Sequence, residues 1–332
     1  MGWSGQGCAR TADFQQALAM HIPVLTREVA EWLAVRPESV YVDATVGAGG
    51  HARAILERLT TGRVIALDRD PWAIEIAREQ LRMYQNQPTF VQGNFADLPM
   101  FLRQLELTVV DGIVADLGFS QMQIDAPERG FSLKTAGPLD MRMDPREQLT
   151  ADEIVNRWSE RELARLIYQL GEERRSQRIA RAIVRARPVR NTVQLANLIE
   201  ACLGGRRRAA SRATGTRIHP ATRTFQALRM AVNRELESLE QFLRNAPGCL
   251  PPGGRLVVIS FHSLEDRLVK QSFQSWNREG RMRNLTRHVV RPGPEEVRAN
   301  PRSRSARLRA AERTAENLES TDRGDPRYSP MG

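Results

Sequence analysis

Apolar residues change rhythm twice along this chain. Between residues 21 and 116, short and nearly unbroken apolar runs alternate with stretches where apolar residues recur every three or four positions. Leu25, Val29, Trp32 and Leu33 fall on one face of a helix predicted over 21–34. Val40–Val42, Arg63–Leu67, Thr89–Phe95 and Val109–Ala115 read as strands. Pro71 opens a helix running to Arg82, at the first-turn position that proline tolerates. Continuous apolar strands alternating with helices predict a parallel sheet covered on both faces.

That rhythm stops at about residue 120, and no convincing strand follows until residue 221. Thr150 with Glu153 and Ser159 with Glu162 have the spacing of capping boxes, so helices are predicted to start there. Gly171 marks a stop, and Ile179, Ile183 and Val184 form a further apolar stripe. Thr192–Leu203 predicts another helix, closed by Gly204 and Gly205. A long helix over 221–243, a strand over 255–260, a helix over 263–273 and a last strand over 306–312 then resume the first pattern. The expected organisation is an α/β sheet domain built from 20–120 and 221–315, interrupted by a helical insert at 121–220. Residues 1–19 and 316–332 are expected to be disordered extensions, the first lacking the basic and apolar regions of a signal peptide.

Length and composition narrow this picture. At 332 residues, 41% hydrophobic and 27% charged, the chain has ample material for a core. No apolar run approaches the roughly 18 residues of a membrane span. Cys8, Cys202 and Cys249 are far apart, and the five histidines are scattered, so neither a disulfide framework nor a structural zinc is expected. A reducing cytoplasm fits that usage. Net charge is +10, and only Lys134 and Lys270 among the 49 basic residues are lysines. No acid occurs from Ala201 to Arg234, where eight arginines accumulate, and a second arginine-rich run spans 278–313. Two such runs on a nucleotide-binding sheet favour a polyanionic partner such as nucleic acid.

The chemistry centres on the first strand and the loop after it. Val40–Asp43 leads into Gly47, Gly49 and Gly50, and a helical pattern follows from Ala52. Glycines there admit close backbone approach to a ligand, beside the free N–H groups of a helix start. Gly47-x-Gly49-x-x-Ala52 with Asp68 satisfies a dinucleotide fingerprint. Asp43 with Gly47 and Gly49 equally satisfies the first motif of S-adenosylmethionine methyltransferases. Asp68, ending the second strand, can accept from both ribose hydroxyls of either cofactor, and Phe95 can flank an adenine or simply pack in the core.

Strand four ends in Asp116-Leu-Gly-Phe-Ser120, where amino-group methyltransferases carry Asp/Asn-Pro-Pro-aromatic. An exocyclic amine is a poor nucleophile because its lone pair is delocalised into the ring. An acceptor must take its hydrogen bonds and stabilise the charge that builds as methyl arrives. Asp116 is the candidate catalytic group, with a plain turn or cofactor-binding role as the rival reading.

Several long motifs carry a resemblance. His21-Ile-Pro-Val-Leu25, Asp43-Ala-Thr-Val-Gly-Ala-Gly-Gly-His51, Ala66-Leu-Asp-Arg-Asp-Pro71 and Asp116-Leu-Gly-Phe-Ser120 are four of them. Gly137-Pro-Leu-Asp-Met-Arg-Met-Asp144, His219-Pro-Ala-Thr-Arg-Thr-Phe-Gln-Ala-Leu-Arg229 and Ile259-Ser-Phe-His-Ser-Leu-Glu-Asp-Arg267 extend the series. Together, over about residues 20 to 315, the chain resembles the bacterial RsmH (MraW) methyltransferases.

The resemblance implies a Rossmann-like S-adenosylmethionine-dependent methyltransferase sheet with an inserted all-helical domain. It also implies N4-methylation of a cytidine in the decoding region of 16S rRNA, with the small ribosomal subunit as partner. By the same resemblance, Gly49, Gly50, His51, Asp68, Phe95, Asp116 and Gln123 hold the cofactor. The amine proton can leave to water once the cationic adduct forms, so the chemistry gives no reason to expect a metal. Phe119-Ser-Gln121 departs from the commoner Val-Ser-Ser, which touches the substrate wall. Arg223 and His262 are secondary candidates for contacting RNA, each with a structural rival reading. The helical insert is expected to overhang the site and recognise RNA. A DNA amino-methyltransferase would share the chemistry but should carry the Pro-Pro-aromatic element. The sequence does not choose between a monomer and a homodimer.

Overall fold

The structure, a computed structural model, describes residues 23–84, 87–204 and 219–315. Seven strands form one sheet in the order β3-β2-β1-β4-β5-β7-β6. They are β1 (Val40–Asp43), β2 (Arg63–Asp68), β3 (Pro88–Gln92), β4 (Gly112–Asp116), β5 (Arg255–Ser260), β6 (Met282–Asn284) and β7 (Arg307–Arg313). The first five are mutually parallel, and β7 runs antiparallel between β5 and β6. The order reverses between β1 and β4, the switch point where open α/β sheets bind ligands.

Side chains alternate between the faces, as the two-residue strand period requires. Val42, Ile65, Ile113, Ala115, Leu256 and Val258 join one core. That core packs against α4 (Leu98–Gln104), α11 (Glu235–Asn245) and α12 (Ser263–Arg278). Tyr41, Val64, Ala66, Val114, Val257 and Ile259 face the other core, under α1 (Thr26–Leu33), α2 (Gly50–Leu56) and α3 (Pro71–Gln80). Among the described residues, no helix is long and apolar enough to cross a membrane.

Between β4 and β5, α5 (Gln121–Asp125) stays on the sheet domain, its Met122 packed with Ala73 and Ile76. Then come α6 (Ala151–Arg157), α7 (Glu160–Gly171), α8 (Ser176–Arg185), α9 (Thr192–Leu203) and α10 (Thr222–Val232). No strand occurs among the described residues of this stretch. Ser159 and Glu162 make the full reciprocal capping box, whereas Thr150 makes only its half, accepting from the Glu153 amide.

The helix expected over 221–243 is two helices. The chain breaks at Asn233 and at Arg234, which takes φ 47°, so α10 and α11 point different ways. Phe225, Leu228 and Val232 of α10 belong to the helical core with Leu163, Ile167 and Ile183, so the helical unit takes in a segment expected to lie in the sheet domain. Strand β6, helix α4 and α13 (Pro294–Ala299) were not foreseen from the pattern. The extensions at 1–19 and 316–332, and the arginines at 206–208, lie outside the described residues.

Asn233 is the rivet at that break. Its buried amide donates to the carbonyls of Met141 and Arg229, each at 2.8 Å, and accepts the Met143 amide at 2.7 Å. Its own carbonyl accepts from Arg69, just past β2, at 2.7 Å. Arg129 adds a second tie, reaching the Asp70 carboxylate at 2.9 Å and the carbonyls of Arg142 and Met143. The sheet and the helical unit are thus joined through buried polar groups with few alternatives.

Asn233→Ala strips partners from three backbone groups at once. We expect a loss of about 2 to 4 kcal/mol, read from urea unfolding midpoints. A loss below about 1 kcal/mol would mean that other contacts carry the seam.

Candidate active site

The parallel strands deliver Asp43, Asp68 and Asp116 to one edge of the sheet. Each carboxylate is fixed by the loop that follows a strand. Asp43 is fully buried and accepts the Thr45 amide at 3.2 Å. The Thr45 hydroxyl accepts the Asp116 amide at 2.7 Å, locking the ends of β1 and β4 together. Asp68 accepts the amides of Gly47 and Asp70, both at 2.9 Å, which ties the glycine loop to β2.

The glycines act as the loop geometry demands. Gly49 has φ 86° and caps α2, a conformation that side chains avoid. A Cβ on Gly50 would sit 2.7 Å from the Pro23 ring, so only glycine lets the chain near Pro23 cover the helix start.

His51 follows in the first turn of α2 and is buried between two acids. Its Nε2 lies 3.4 Å from Asp116 Oδ2. Burial opposes charging this imidazole, but Asp116 and Asp43 outweigh it, and its pKa lies above the ordinary value. Burial pushes Asp43 up to about 6, with His51 pulling the other way. Desolvation also raises Asp68 to about 6, against the two amides it accepts.

His51, Asp68 and Asp116 open onto a cavity of about 830 Å³, within the usual range for small-molecule sites, while Asp43 stays buried behind them. His51, Asp68, Phe95, Asp116, Gln123 and His262 all line it, as does Gly50. Gly49 does not; it packs against Leu81 behind the loop. Phe95 stands edge-on to Phe242, ring centroids 5.1 Å apart, while still bordering the cavity. The Gln123 amide is already engaged, accepting from the Ser120 amide and donating to Asp70 at 2.7 Å. Gln123 therefore shapes the wall through Asp70 and the start of α3.

Three buried atoms around this edge lack partners, His51 Nδ1 and one oxygen each of Asp43 and Asp116, while the Nε2 atoms of His51 and His262 have only an imperfectly aligned carboxylate beside them, at 3.4 and 3.1 Å. Buried polar groups are nearly always satisfied. Such a cluster, on a cavity with both apolar and charged walls, suits a polar ligand with an apolar ring system. A nucleoside-bearing cofactor fits that donor set.

The far wall comes from the insert and from α10 to α12. Arg229, 6% exposed, binds both oxygens of Glu235 at 2.7 and 2.8 Å and lies 4.2 Å over the Phe119 ring. Phe119 in turn stacks on Phe131. His262 caps α12, its Nδ1 accepting the Glu265 amide. Burial works against the Glu265 carboxylate, yet His262, the Phe261 amide and Arg229 hold its pKa below the usual range. Glu235, His262 and Glu265 bring donor atoms within 4.8 Å of one another. Arg229 already supplies the cation of that cluster.

Arg223 is not on the cavity. It is largely exposed, donates to the Glu172 carbonyl and lies 3.8 Å from Glu173, bracing the end of α7. The Arg229–Glu235 pair was missed from sequence because the partners meet only through the break at Asn233. A His262-x-x-Glu265 capping spacing was visible but unusual, since histidine seldom caps helices.

Residues 18–314 match the MraW methylase family. The chain is 52% identical over 293 residues to the ribosomal RNA small subunit methyltransferase H of Solibacter usitatus, covering 88% of this chain and 99% of that protein. It is 51% identical over 294 residues to the protein of the same name from a Cyanothece species, with 89% and 95% covered. A third relative of that name, from Koribacter versatilis, is 48% identical over 301 residues, with 88% and 94% covered. A glycine corner tied to three strand-end aspartates, in a sheet of this order, and a match along nearly its whole length mean that the chain belongs to the MraW methylase family, with S-adenosylmethionine as methyl donor.

Proposed function

We propose that the chain methylates N4 of a cytidine in the decoding region of 16S rRNA, acting in the cytoplasm on the small ribosomal subunit. The observation that carries this reading is Asp116: it ends β4 on the cavity, with one carboxylate oxygen free of any hydrogen-bond partner among the described residues. The relatives' shared name supports ribosomal RNA as substrate.

S-adenosylmethionine supplies an electrophilic methyl group when bound. Asp68 would accept its ribose hydroxyls, while Gly50 keeps the helix start open to close approach. Phe95 would flank the adenine, and His51 and Asp116 would hold the polar end. Gly49 shapes the loop from behind, and Gln123 fixes the wall through Asp70.

Asp116 accepts a hydrogen bond from the cytosine amine and stabilises the positive charge that grows on N4. His51 beside it keeps the carboxylate oriented. The proton then leaves N4 to solvent, so no separate strong base is required. His262 borders the cavity where the base would enter, its Nε2 lying 3.1 Å from the Glu265 carboxylate, so it is a second candidate to contact the base. The target nucleotide must leave its stack to reach this depth, and the helical insert supplies the wall it meets. Arg223, away from the cavity, braces that insert.

The direct test uses radiolabelled S-adenosylmethionine and small subunits from cells lacking the enzyme, followed by nucleoside digestion. Label is expected in N4-methylated cytidine. Label in DNA alone, or in another nucleoside, would replace this reading. Asp116→Asn should lower kcat by about 10²- to 10³-fold while the KM for RNA changes little. A loss under tenfold would remove Asp116 from the chemistry.

Cofactor affinity should also depend on pH. Asp68 must be ionised to accept two hydroxyls, and burial has raised its pKa to about 6. Affinity is therefore expected to be full at neutral pH and to fall as pH drops through 6, measured by calorimetry. Asp68→Asn should bind more weakly with a shallower slope, the remainder reflecting Asp43. An unchanged slope would show that Asp68 does not make the contact.

A further inference from the structure

The second arginine-rich run is not uniformly paired. Arg307 and Arg309 face Asp266, and Arg283 shares Glu312 with Arg255. Arg298 lies near Glu295. Arg302 and Arg304 differ: both are exposed, both border the 830 Å³ cavity, and neither guanidinium has a carboxylate or carbonyl partner among the described residues.

Their backbone is held firmly. Ser303, between them, is fully buried and its hydroxyl donates to the Asn300 carbonyl at 2.8 Å. The Asn300 side chain accepts the Arg302 amide. On one side, Glu296 accepts the Leu25 amide at 2.7 Å, which links this strap to the Pro23 segment over Gly50. On the other, Arg307 pairs with Ser260 at the carboxyl end of β5. Two unpaired guanidinia are therefore presented from a fixed strap at the rim of the cavity that holds Asp116.

We propose that Arg302 and Arg304 clamp the phosphodiesters flanking the target nucleotide. This rests on the reading of the chain as an RNA methyltransferase. A nucleotide whose base enters the cavity leaves its neighbouring phosphates at the rim. The guanidinium fork matches a phosphate in charge and geometry, and exposed arginines give up little on pairing with it. Phosphate contacts of this kind fix position without reading sequence. The strap thus sets how deep the base sits relative to Asp116, while the buried wall reads the base itself.

The test compares the full-length parent with Arg302→Ala/Arg304→Ala and with Arg302→Lys/Arg304→Lys. Binding to small-subunit RNA is followed by filter retention across a salt series, and S-adenosylmethionine binding by calorimetry. The alanine pair is expected to weaken RNA binding at least tenfold and to reduce the salt slope by about 2, one for each lost phosphate contact. Its cofactor affinity should match the parent. The lysine pair should recover most of the salt slope. Unchanged RNA binding would overturn the clamp. A parallel fall in cofactor affinity would overturn it too, and would assign the guanidinia to the carboxylate of the cofactor. If the parent labels ribosomal RNA but the alanine pair binds it normally, the clamp alone fails. If the parent labels no RNA, the functional reading itself fails.

Discussion

Three carboxylates at neighbouring strand ends set the terms for everything around them. Like charges in a poorly solvated corner repel and lose hydration. The protein offsets this with one imidazole and three fixed donors: His51 between Asp43 and Asp116, and the amides of Thr45, Gly47 and Asp70. Those donors are in place only if the glycine loop takes its left-handed turns and β1 keeps its register with both β2 and β4. Loop, strand pairing and the start of α2 are thus one arrangement.

The helical unit inherits this constraint at second hand. Arg69 and Asp70, just past β2, are the points at which it is anchored, through Asn233 and Arg129. From that anchor α10 carries Arg229 to the cavity, where it braces Phe119 beyond β4 and Glu235 at the start of α11. The insert's wall of the cavity is therefore anchored on the turn after β2, the same turn whose Asp70 amide binds Asp68, which gives a physical reason for the two walls to keep a constant separation.

What could be read from the sequence was what local periodicity controls. Five parallel strands follow from apolar runs, three of them ending in Asp43, Asp68 and Asp116, and they lie close to the expected spans. The glycine loop was legible because its turns need glycine. The break at Asn233–Arg234 was not, since both flanking segments are good helix formers and only the buried contacts of Asn233 select the kink. Strand β6 is three residues long and exists by pairing with β7, a partner supplied by the fold. Gln123, expected from the resemblance to hold the cofactor, borders the cavity, and its bonds to Ser120 and Asp70 depend on contacts that motif position does not display. Arg302 and Arg304 were visible only as members of a charge run until the paired arginines around them were told apart.

The insertion point bears on how the chain reaches this state. Strands β4 and β5 are adjacent in the sheet, yet residues 117–254 separate them in sequence. Closing so long a loop costs only slightly more than closing a short one, about 0.6 kcal/mol per doubling of length. Pairing across such distances nevertheless slows folding, because many residues must be ordered before the contact repays them. The helical unit has a core of its own, running from Phe131 to Val232, so the long connection is itself a packed body and not an open loop, and it holds the ends of β4 and β5 within reach of each other.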